Sequence, residues 1–499
     1  MTYQEAIDHL YALGPELFPT PGKPLRKFDL DHMRTLCAAL GNPQDRVPAV
    51  LIAGTNGKGS TAATLASILT AAGYRTALYT SPHLVRINER IQLAHPTLPS
   101  EYGSLTTPGA DGPLALTQIP DDVFAALYTQ VNDACDRLTA AAELPVLPSF
   151  FERVTAVAFL YFAGSPTIDQ GTTPAADIAI LEVGLGGRLD ATNVVHPILS
   201  ILTDIALDHQ EYLGDTIAKI ATEKCGILRP HGTLITLPQH PEANQSIGNA
   251  AVELEIHAIS AAQYLPPAPR NNTQPAASTT ALPANRYTIS LAGDAVQIAS
   301  PLPGQHQQRN LALAIAAVEE LRNPTGYKSA TTSNQTSYNI PNTAIEAGIR
   351  NTRWPGRLEF LPPNLLLDVA HNPAGAWTLR SAIAALPESQ PRTLIFSCLK
   401  DKSLTEISRI LFPLFDSSPD GDPLRRQDHI IVAPIANLRA AAVEDLKAAA
   451  EALGIPAHVA LDLASALTQA RILTPSGGLI IATGSVYLVG EIRNQALHP

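Results

Sequence analysis

A glycine-rich segment between an apolar run and a helical pattern constrains this chain most strongly. The run Val47 to Ala53 is almost entirely apolar, and the segment Gly54 to Ser60, GTNGKGS, follows it directly. Beyond that segment, apolar residues recur with the spacing of one helix face: Ala62, Leu65, Ala66, Ile68 and Leu69. Gly73 is placed to end this helix, and Tyr74 to Thr80 has the pattern of another strand. The sequence therefore predicts a strand, glycine loop, helix and strand in a parallel sheet.

The glycine loop differs from the usual phosphate-binding spelling, G-x-x-x-x-G-K-[ST], because Gly59 stands between Lys58 and Ser60. Backbone N–H groups in such a turn can approach phosphate oxygens, and the helix N-terminus favours negative charge. We expect Lys58 to reach the terminal phosphates of a nucleotide and Ser60 to lie near a metal ion. An ordinary glycine turn with a solvated lysine is the alternative. Three glycines and a lysine within six residues, between a strand and an amphipathic helix, favour the nucleotide.

Polar residues at the ends of predicted strands indicate a metal site. A triphosphate requires Mg²⁺, which prefers oxygen ligands. Glu182 lies within the apolar run Ala176 to Gly184, where a carboxylate needs a metal or a buried basic partner. Ser81 and His209 also follow predicted strands, at the edge where ligands of parallel sheets bind. Each alone is more typical of a structural or surface polar group, but together they predict a magnesium site.

Lys224 is an unexpected charge on an apolar helix face. Ile217, Ile220 and Ala221 share that face, and position 224 continues it. A lysine there points inward, where it can snorkel to the surface or pair with an acid. A buried amine with a lowered pKa is also open to modification. A carbamate would turn this cation into an oxygen ligand or orienting group for magnesium.

The length of 499 residues predicts two compact domains. Further strand-like runs in the first part are Ala176 to Gly184, Ile198 to Ile205 and Gly232 to Leu237. A second set alternates with alanine- and leucine-rich helical stretches: Asn364 to His371, Thr393 to Cys398, His429 to Pro434 and Gly477 to Ser485. We expect an α/β protein with a mainly parallel sheet in residues 1–350 and a Rossmann-like α/β domain in residues 351–499. Trp354 and Pro355 interrupt the pattern at the join.

Polar segments rich in proline, serine or threonine separate these blocks: Pro96 to Leu116, Ser165 to Ala175, Pro266 to Ala284 and Thr325 to Thr343. Such compositions bury too little apolar surface to order themselves. We therefore expect surface insertions there.

The net charge limits the kinds of partner that this chain can bind, and the cysteines indicate its cellular compartment. The 34 basic and 45 acidic residues give a net charge of -11, which argues against broad binding to nucleic acid or an anionic membrane. The 4 cysteines are scattered and form no metal-ligand pattern. Glu5 and Asp8 stand where a signal peptide would need a basic start and an apolar core, and no run has membrane-spanning length. We expect a reduced, cytoplasmic protein.

Segments along most of the chain resemble the folylpolyglutamate synthase and bifunctional dihydrofolate synthase family, within the ATP-dependent Mur ligase superfamily. They occur in family order from about residue 50 to residue 492: AGTNGKGST, TSPHLVRINERI, FFERVTAVAF, LEVGLGGRLDATN, DHQEYLGDTIAKIATEKCGIL, GQHQQRN, WPGRLE, DVAHNP, DKS and GSVYLVGEIR. The phosphate loop is specific only to the superfamily. The LEVGLGGRLDATN and SPHL segments point to the folate branch.

The resemblance implies an N-terminal P-loop ATPase domain, a C-terminal domain that binds glutamate, and a set of site residues. The ATP residues would be Thr55, Asn56, Gly57, Lys58, Gly59, Ser60, Asn310, Arg357 and Asp368. The magnesium ligands would be Ser81, Glu182 and His209, and Lys224 would be carbamylated. The pteroate positions would be Ser149, Phe150, Phe151, Glu152, Leu189, Asp190 and Ala191. His371 lies where the incoming glutamate is expected, and the resemblance makes it catalytic with Lys58 and Lys224.

One segment departs from the family pattern. The family commonly has glycine and alanine between the residues that match Asp368 and His371, whereas this chain has Val369 and Ala370. Valine cannot adopt a positive φ at low cost. The departure puts the local turn and the fit of the substrate in question.

The resemblance implies ATP-dependent ligation of L-glutamate to dihydropteroate and/or reduced folates through an acyl phosphate, by a monomer that binds neither nucleic acid nor membrane. A Mur-type ligase acting on a cell-wall precursor would share the ATP and magnesium geometry, and the pteroate and SPHL segments separate the two. A regulatory P-loop protein is the rival from another class, but the chain has no NKxD guanine-reading segment. Whether both ligation steps occur, the folate form, and the glutamate chain length and linkage stay open.

Overall fold

The computed structural model describes residues 1–14, 30–96, 114–164, 175–267, 282–325 and 337–498. Its strands, in chain order, are β1 Ala49–Ala53, β2 Thr76–Tyr79, β3 Ile91–Pro96, β4 Leu114–Gln118, β5 Ile178–Glu182, β6 Leu199–Leu202, β7 Thr233–Thr236, β8 His257–Ser260, β9 Ala284–Leu291, β10 Asp294–Pro303, β11 Glu359–Leu361, β12 Leu365–Leu367, β13 Arg392–Phe396, β14 His429–Val432, β15 His458–Val459 and β16 Leu479–Thr483. Its helices are α1 Tyr3–Ala12, α2 Leu30–Ala39, α3 Lys58–Ala71, α4 Asp121–Ala140, α5 Phe150–Ala163, α6 Gln210–Leu213, α7 Ile217–Cys225, α8 Pro241–Glu253, α9 His306–Arg322, α10 Asn342–Asn351, α11 Pro373–Ala384, α12 Leu404–Leu411, α13 Val443–Glu451, α14 Leu463–Leu473 and α15 Val486–Leu497.

The first sheet confirms the predicted, mainly parallel arrangement. Within the described residues it has eight strands in the order β4-β3-β2-β5-β1-β6-β7-β8. The pairs from β2 to β8 are parallel, whereas β3 and β4 are antiparallel at one edge. Leu51 in β1 packs into the core on one face, and its neighbours Val50 and Ile52 pack into the core on the other. Because both faces are buried, the central strand is apolar throughout.

Helix α3 begins at Lys58, within the glycine-rich segment, and ends as the sequence predicts. Its five predicted apolar positions are all buried. Gly73 follows the last turn with a φ of 93°, and the N–H groups of Gly73 and Tyr74 donate to the carbonyls of Thr70 and Leu69 at 3.0 and 3.1 Å. Glycine adopts this left-handed conformation at low cost, so it closes the helix.

A second α/β domain is also confirmed. Among the described residues, six strands form its sheet in the order β11-β12-β16-β13-β14-β15, and only the β11–β12 pair is antiparallel. Helix α10 still packs on α3 of the first domain, and β11 is the first strand of the second sheet. The chain therefore crosses between domains in the segment that contains Trp354. The division into 1–350 and 351–499 stays a prediction.

The predicted insertions lie largely outside the described residues, but some of their predicted ends are wrong. Leu114 and Leu116 belong to β4, which pairs with β3. Tyr338 and Ile340 are buried against the core of the first domain. The hairpin of β9 and β10 starts at Ala284, where a surface insertion was predicted. In each case a few apolar side chains beside a polar stretch pair or pack with a distant part of the fold.

Each sheet gathers polar residues at one edge. Strands β2, β5, β1 and β6 are adjacent; Ser81 follows β2, Glu182 ends β5, the loop to Lys58 follows β1, and His209 follows β6. In the second sheet, His371 follows β12. Because adjacent parallel strands end on the same side, these residues converge although they are far apart in the sequence.

Within the described ranges, we find no helix that combines the length and the apolar character needed to cross a membrane.

Candidate active site

The glycine loop packs the first turn of α3 against residues from distant parts of the chain. Gly57 caps the helix with a φ of 89°, and a Cβ atom there would lie 2.2 Å from Oδ1 of Asn310. At Gly59, a Cβ atom would lie 2.5 Å from Cζ2 of Trp354. Glycine is therefore required at both positions, and the N–H groups of the first helical turn face a site for an anion.

Thr55 and Asn56 are engaged by other parts of the chain. Both of their backbone N–H groups donate to the carbonyl of Asp204, at 2.8 and 3.1 Å. The Thr55 hydroxyl donates to the carbonyl of Ala206 at 3.1 Å, and Oδ1 of Asn56 accepts from Nδ2 of Asn372 at 3.1 Å. These bonds hold the loop in place, and they leave the N-terminus of α3 as its surface for phosphate.

Lys58 and Glu182 face each other at the end of the central strands. Nζ of Lys58 lies 3.9 Å from Oε1 of Glu182 and donates to the carbonyl of Thr55 at 3.3 Å. The N–H of Ser81 donates to Oε2 of Glu182 at 3.2 Å. Glu182 is 4% exposed, and burial raises the pKa of Glu182 although the charge of Lys58 opposes that change. The carboxylate is short of positive charge, which a bound cation would supply.

Lys224 points inward, as the apolar face of its helix predicts. The residue is 4% exposed, and its Nζ donates to the carbonyl of Gly54, at the start of the glycine loop, at 2.8 Å. Burial, together with the charge of Lys58, lowers the pKa of Lys224 to about 7. At neutral pH a large share of this amine is uncharged and carries the lone pair that carbamylation requires.

Asp368 lies just after β12, where backbone groups hold it and the charge of Arg357 acts on it. Its two oxygens accept the N–H groups of Leu358 and Ala370 at 2.9 and 3.0 Å. Burial raises the pKa of Asp368, opposed by the charge of Arg357. Burial lowers the pKa of Arg357, opposed by Asp368. Neither Val369 nor Ala370 has a positive φ, so the departure from the family pattern introduces no backbone strain.

A cavity of about 440 Å³ lies where the two domains meet. Its wall includes Ser81 and His209 from the first domain and His371 and Lys402 from the second. Nδ1 of His371 lies 2.8 Å from the carbonyl of Val369. Because a carbonyl oxygen can only accept, Nδ1 carries a proton in this arrangement. The cavity thus brings predicted metal and glutamate residues together across the domain junction.

Most of the predicted pteroate-binding residues line the same cavity: Ser149, Phe151, Glu152, Leu189, Asp190 and Ala191. Phe150 is the exception, because it packs in the core and is 5% exposed. Three of these residues also have structural contacts. Ser149 and Glu152 cap the start of α5 reciprocally, and Asp190 accepts the N–H of Leu185 at 2.9 Å. The part that these residues take in substrate binding stays a prediction.

A polar network beside the cavity joins the two domains, and the site prediction from sequence missed it. Asp208 accepts from Nζ of Lys402 at 2.7 Å and from Nδ2 of Asn372 at 3.0 Å. Nε2 of His371 lies 3.7 Å from Oδ2 of Asp208. Burial works to raise the pKa of Asp208, but His371 and Lys402 outweigh it and hold this pKa well below the usual range. The available signals were the position of Asp208 directly before His209 and of Lys402 within the DKS segment.

His209 adopts an uncommon backbone conformation in the cavity wall. Its φ is 50°, a value that is unusual for a residue other than glycine and is often found at functional sites. Burial, together with the charge of Lys402, lowers the pKa of His209 to about 3. The imidazole is therefore neutral at neutral pH, which is the form that binds metals.

Comparison with known proteins decides the family. The model of the Mur ligase middle domain matches residues 165–318. The dihydrofolate synthase/folylpolyglutamate synthase of Bacillus subtilis is 31% identical over 473 residues, which cover 93% of this chain and 94% of that protein. The chain belongs to the folylpolyglutamate synthase and dihydrofolate synthase family. It is accordingly an ATP-dependent ligase.

Solved structures of the folylpolyglutamate synthase family share the two-domain fold. Folylpolyglutamate synthase of Mycobacterium tuberculosis, complexed with ADP and AMPPCP, aligns with a TM-score of 0.76 and 27% identity, covering 99% of this chain and 98% of that one. FolC of Escherichia coli, in complex with DHPP and ADP, aligns with a TM-score of 0.71 and 25% identity, covering 100% and 98%. Nucleotide binding in these relatives agrees with the glycine loop at the N-terminus of α3.

Magnesium, which the family resemblance implies, fits the residues around Glu182. In the part of the chain that is described, no group of three or more His, Cys, Asp and Glu side chains is close enough to hold a metal. Mg²⁺ does not need such a group, because it is often bound through one or two carboxylates, substrate phosphates and water. Glu182 and the Ser81 hydroxyl supply oxygen donors beside Lys58, and His209 is neutral. These donors suit a magnesium ion shared with a nucleotide.

Proposed function

We propose that this ligase joins L-glutamate to dihydropteroate and/or reduced folates, with ATP as the energy source and an acyl phosphate as the intermediate. One observation carries the proposal: a single cavity at the domain junction is lined by the predicted pteroate residues other than Phe150, by the predicted metal ligands Ser81 and His209, and by His371. A ligase that joins an acid to an amine needs both substrates in one enclosed space. DHPP and ADP in the E. coli relative support the folate branch over a cell-wall substrate.

In the first step, a carboxylate oxygen of the pteroate or folate attacks the γ-phosphorus of ATP, and the bond from this phosphorus to the bridging oxygen of ADP breaks. Lys58 and the N–H groups at the start of α3 provide fixed positive charge for the transferring group. Gly57 and Gly59 allow the phosphates to approach these groups, and Asn310, Arg357 and Asp368 complete the nucleotide site. Mg²⁺, held through Glu182, Ser81 and His209, would neutralise charge on the phosphate oxygens.

We further propose that Lys224 is carbamylated and acts as an orienting group in the first step. The support is its burial, its position against the carbonyl of Gly54, and its pKa lowered to about 7. The neutral amine adds to carbon dioxide, loses a proton and becomes an anionic carbamate. A carbamate there would place oxygen atoms close to the glycine loop.

In the second step, the amine of glutamate attacks the carbonyl carbon of the acyl phosphate, loses a proton and releases inorganic phosphate. His371 from the C-terminal domain would contact the incoming glutamate, since Nε2 is the ring nitrogen that its bond to Val369 leaves open. Closure of the domains would keep water away from the acyl phosphate.

We also propose a monomer in the cytoplasm; the 4 cysteines, all buried and free, agree with a reducing compartment.

ADP release with MgATP and L-glutamate tests the proposal, with dihydropteroate in one reaction and tetrahydrofolate in another, and with mass detection of the products. Turnover with both acids would establish a bifunctional enzyme. Turnover with tetrahydrofolate alone would leave a folylpolyglutamate synthase, and turnover with dihydropteroate alone a dihydrofolate synthase. Turnover with neither would contradict the proposed function.

The two residues that face each other at the phosphate site provide the first test by mutation. We expect Lys58→Ala and Glu182→Ala each to lower the rate of folate-dependent ADP release by about 100-fold or more, because each removes fixed charge from the transferring phosphoryl group or its metal. Lys219→Ala is the matched control, since this exposed lysine pairs only across one helical turn with Asp215. A fully active Lys58→Ala or Glu182→Ala variant would overturn the site assignment.

A further inference from the structure

Asp208 links the metal side of the cavity directly to the C-terminal domain. It lies next to His209 in the segment after β6, and its side chain is 9% exposed. Its Oδ1 accepts from Nζ of Lys402 at 2.7 Å, and its Oδ2 accepts from Nδ2 of Asn372 at 3.0 Å. The side chains that donate to this carboxylate, Lys402 and Asn372, both come from the C-terminal domain.

Lys402 depends on Asp208 for a counter-ion, and His371 lies close to the same carboxylate. The Lys402 side chain is 6% exposed, so its ammonium group is buried with Asp208 as its ion-pair partner. Nε2 of His371 lies 3.7 Å from Oδ2 of Asp208, which is longer than a hydrogen bond, while Nδ1 is occupied by the carbonyl of Val369. A buried charge without its counter-ion is costly, so Lys402 must move if Asp208 loses its charge.

The side-chain contacts of Asp208 differ between the metal half and the glutamate half of the site. The distance from Nε2 of His209 to Oδ1 of Asp208 is 3.9 Å, which is too long for a hydrogen bond. The shorter side-chain contacts go to Lys402 and Asn372, while Oδ1 also accepts the backbone N–H of His209 at 2.9 Å. Both His371 and Lys402 line the cavity. The side-chain bonds of the carboxylate therefore lie on the glutamate side of the cavity, and its bond with the predicted metal ligand is to the backbone of His209 rather than to the imidazole.

We propose that Asp208 is a positioning residue for the amino-acid half of the reaction, and that it holds Lys402 of the C-terminal domain, beside His371, in the conformation that accepts glutamate. The inference rests on the proposed function. In this arrangement the glutamate subsite is complete only when the C-terminal domain is docked on the segment that carries Asp208. Binding of ATP and of the pteroate or folate does not require this carboxylate.

Asp208→Asn tests the inference because it removes the charge with little change in shape. We expect the KM for L-glutamate to rise by about 10- to 100-fold, as for loss of a hydrogen bond to a charged group. The KM values for ATP and the folate, and the magnesium concentration for half-activation, should stay within about 2-fold. Asp215→Asn is the matched control, because Asp215 is exposed and pairs with Lys219 in the same segment.

Two further variants, Lys402→Met and the double variant Asp208→Asn/Lys402→Met, test whether Asp208 acts through Lys402. If the two residues act as a unit, the double variant should raise the KM for glutamate no more than the stronger single variant. Additive effects would overturn the inference. A changed magnesium requirement with an unchanged glutamate KM would also overturn it and assign Asp208 to His209. Equal changes in all kinetic constants with a lower Tm would show a purely structural role. A wild-type protein that consumes no glutamate would instead refute the proposed function.

Discussion

At the scale of single residues, the candidate site consists of charged groups held away from water. Lys224, Glu182 and Asp368 are all buried. Burial lowers the pKa of the lysine and raises the pKa of both carboxyl groups, so it favours the neutral form of each. Burial disfavours charge unless a partner is present. Each group is therefore set to gain stabilisation when a nucleotide, a metal ion or a modification supplies that partner.

Lys224→Met tests this idea through the pH dependence of stability. The pKa of Lys224 is lowered from 10.5 to about 7 in the folded protein, so between these values the folded state binds fewer protons than the unfolded state. Wild-type stability then rises with pH across this window, and the full cost of the buried charge is present below about pH 7. We expect the Tm of Lys224→Met relative to wild type to be higher at pH 6 than at pH 9, by about 2–4 °C per kcal/mol.

The measurement is thermal unfolding in bicarbonate-free buffer, which keeps the lysine unmodified. Lys219→Met serves as the control, since Lys219 is on the same helix and its side chain is 63% exposed. The control should show no such dependence on pH. An equal Tm difference for Lys224→Met at both pH values would mean that Lys224 does not titrate in this range.

At the scale of elements, helix N-termini serve both stability and binding. Helix α3 starts at a glycine without a side-chain cap, which leaves its first N–H groups for a ligand. Helix α5 starts at Ser149, whose hydroxyl accepts the N–H of Glu152 at 3.3 Å while Glu152 accepts the N–H of Ser149 at 2.7 Å. Helix α3 therefore keeps its first N–H groups available to an anion, whereas α5 supplies its own cap.

Ser149→Ala separates the cap from the predicted contact with the substrate. Loss of the cap should cost about 1 kcal/mol and lower the Tm, whereas Ser149→Asp should keep most of the stability because aspartate also caps well. If Ser149 acts only as a cap, neither variant changes the KM for dihydropteroate. Thr216→Ala is the control, because Thr216 caps α7 through the N–H of Lys219. A raised KM in Ser149→Asp with an unchanged Tm would establish a substrate contact.

At the scale of the whole molecule, activity depends on how the two domains dock. Leu84, in the segment after β2, packs against the core of the C-terminal domain. A Cβ atom on Gly490 of α15 would lie 2.0 Å from the backbone carbonyl oxygen of Leu84. A backbone atom cannot turn away as a flexible side chain can. Only glycine at position 490 allows the helix to approach this closely.

Gly490→Ala should therefore shift the C-terminal domain away from the phosphate site. We expect ADP release to fall by about 100-fold, because displacement of reacting groups by about 1 Å has this effect. Each domain should stay folded, and the radius of gyration in small-angle scattering should increase. Gly248→Ala on α8 is the control, since a Cβ atom there meets nothing within 4 Å. Full activity in Gly490→Ala would show that tight docking is dispensable.

Much of the fold could be predicted from local sequence. Apolar runs became strands of the two sheets because buried strands of parallel sheets need apolar side chains on both faces. The loop from Gly54 to Ser60, the helix after it and the inward position of Lys224 followed from glycine placement and helical periodicity. The hairpin of β9 and β10 was missed although its strands pair locally. The burial of Tyr338 and Ile340 was missed because the core that they pack against lies far away in the sequence.

The sequence by itself determined the local elements, the phosphate loop and the family, since each depends on residue types at short spacing or on segments in a known order. Tertiary structure alone decided which polar groups meet. It placed Glu182 at 3.9 Å from Lys58 and Asp208 at 2.7 Å from Lys402. It also turned Phe150 into the core and Phe151 toward the cavity. These contacts depend on which strands end side by side in each sheet and on how the two domains dock. Neither is encoded in a local sequence pattern.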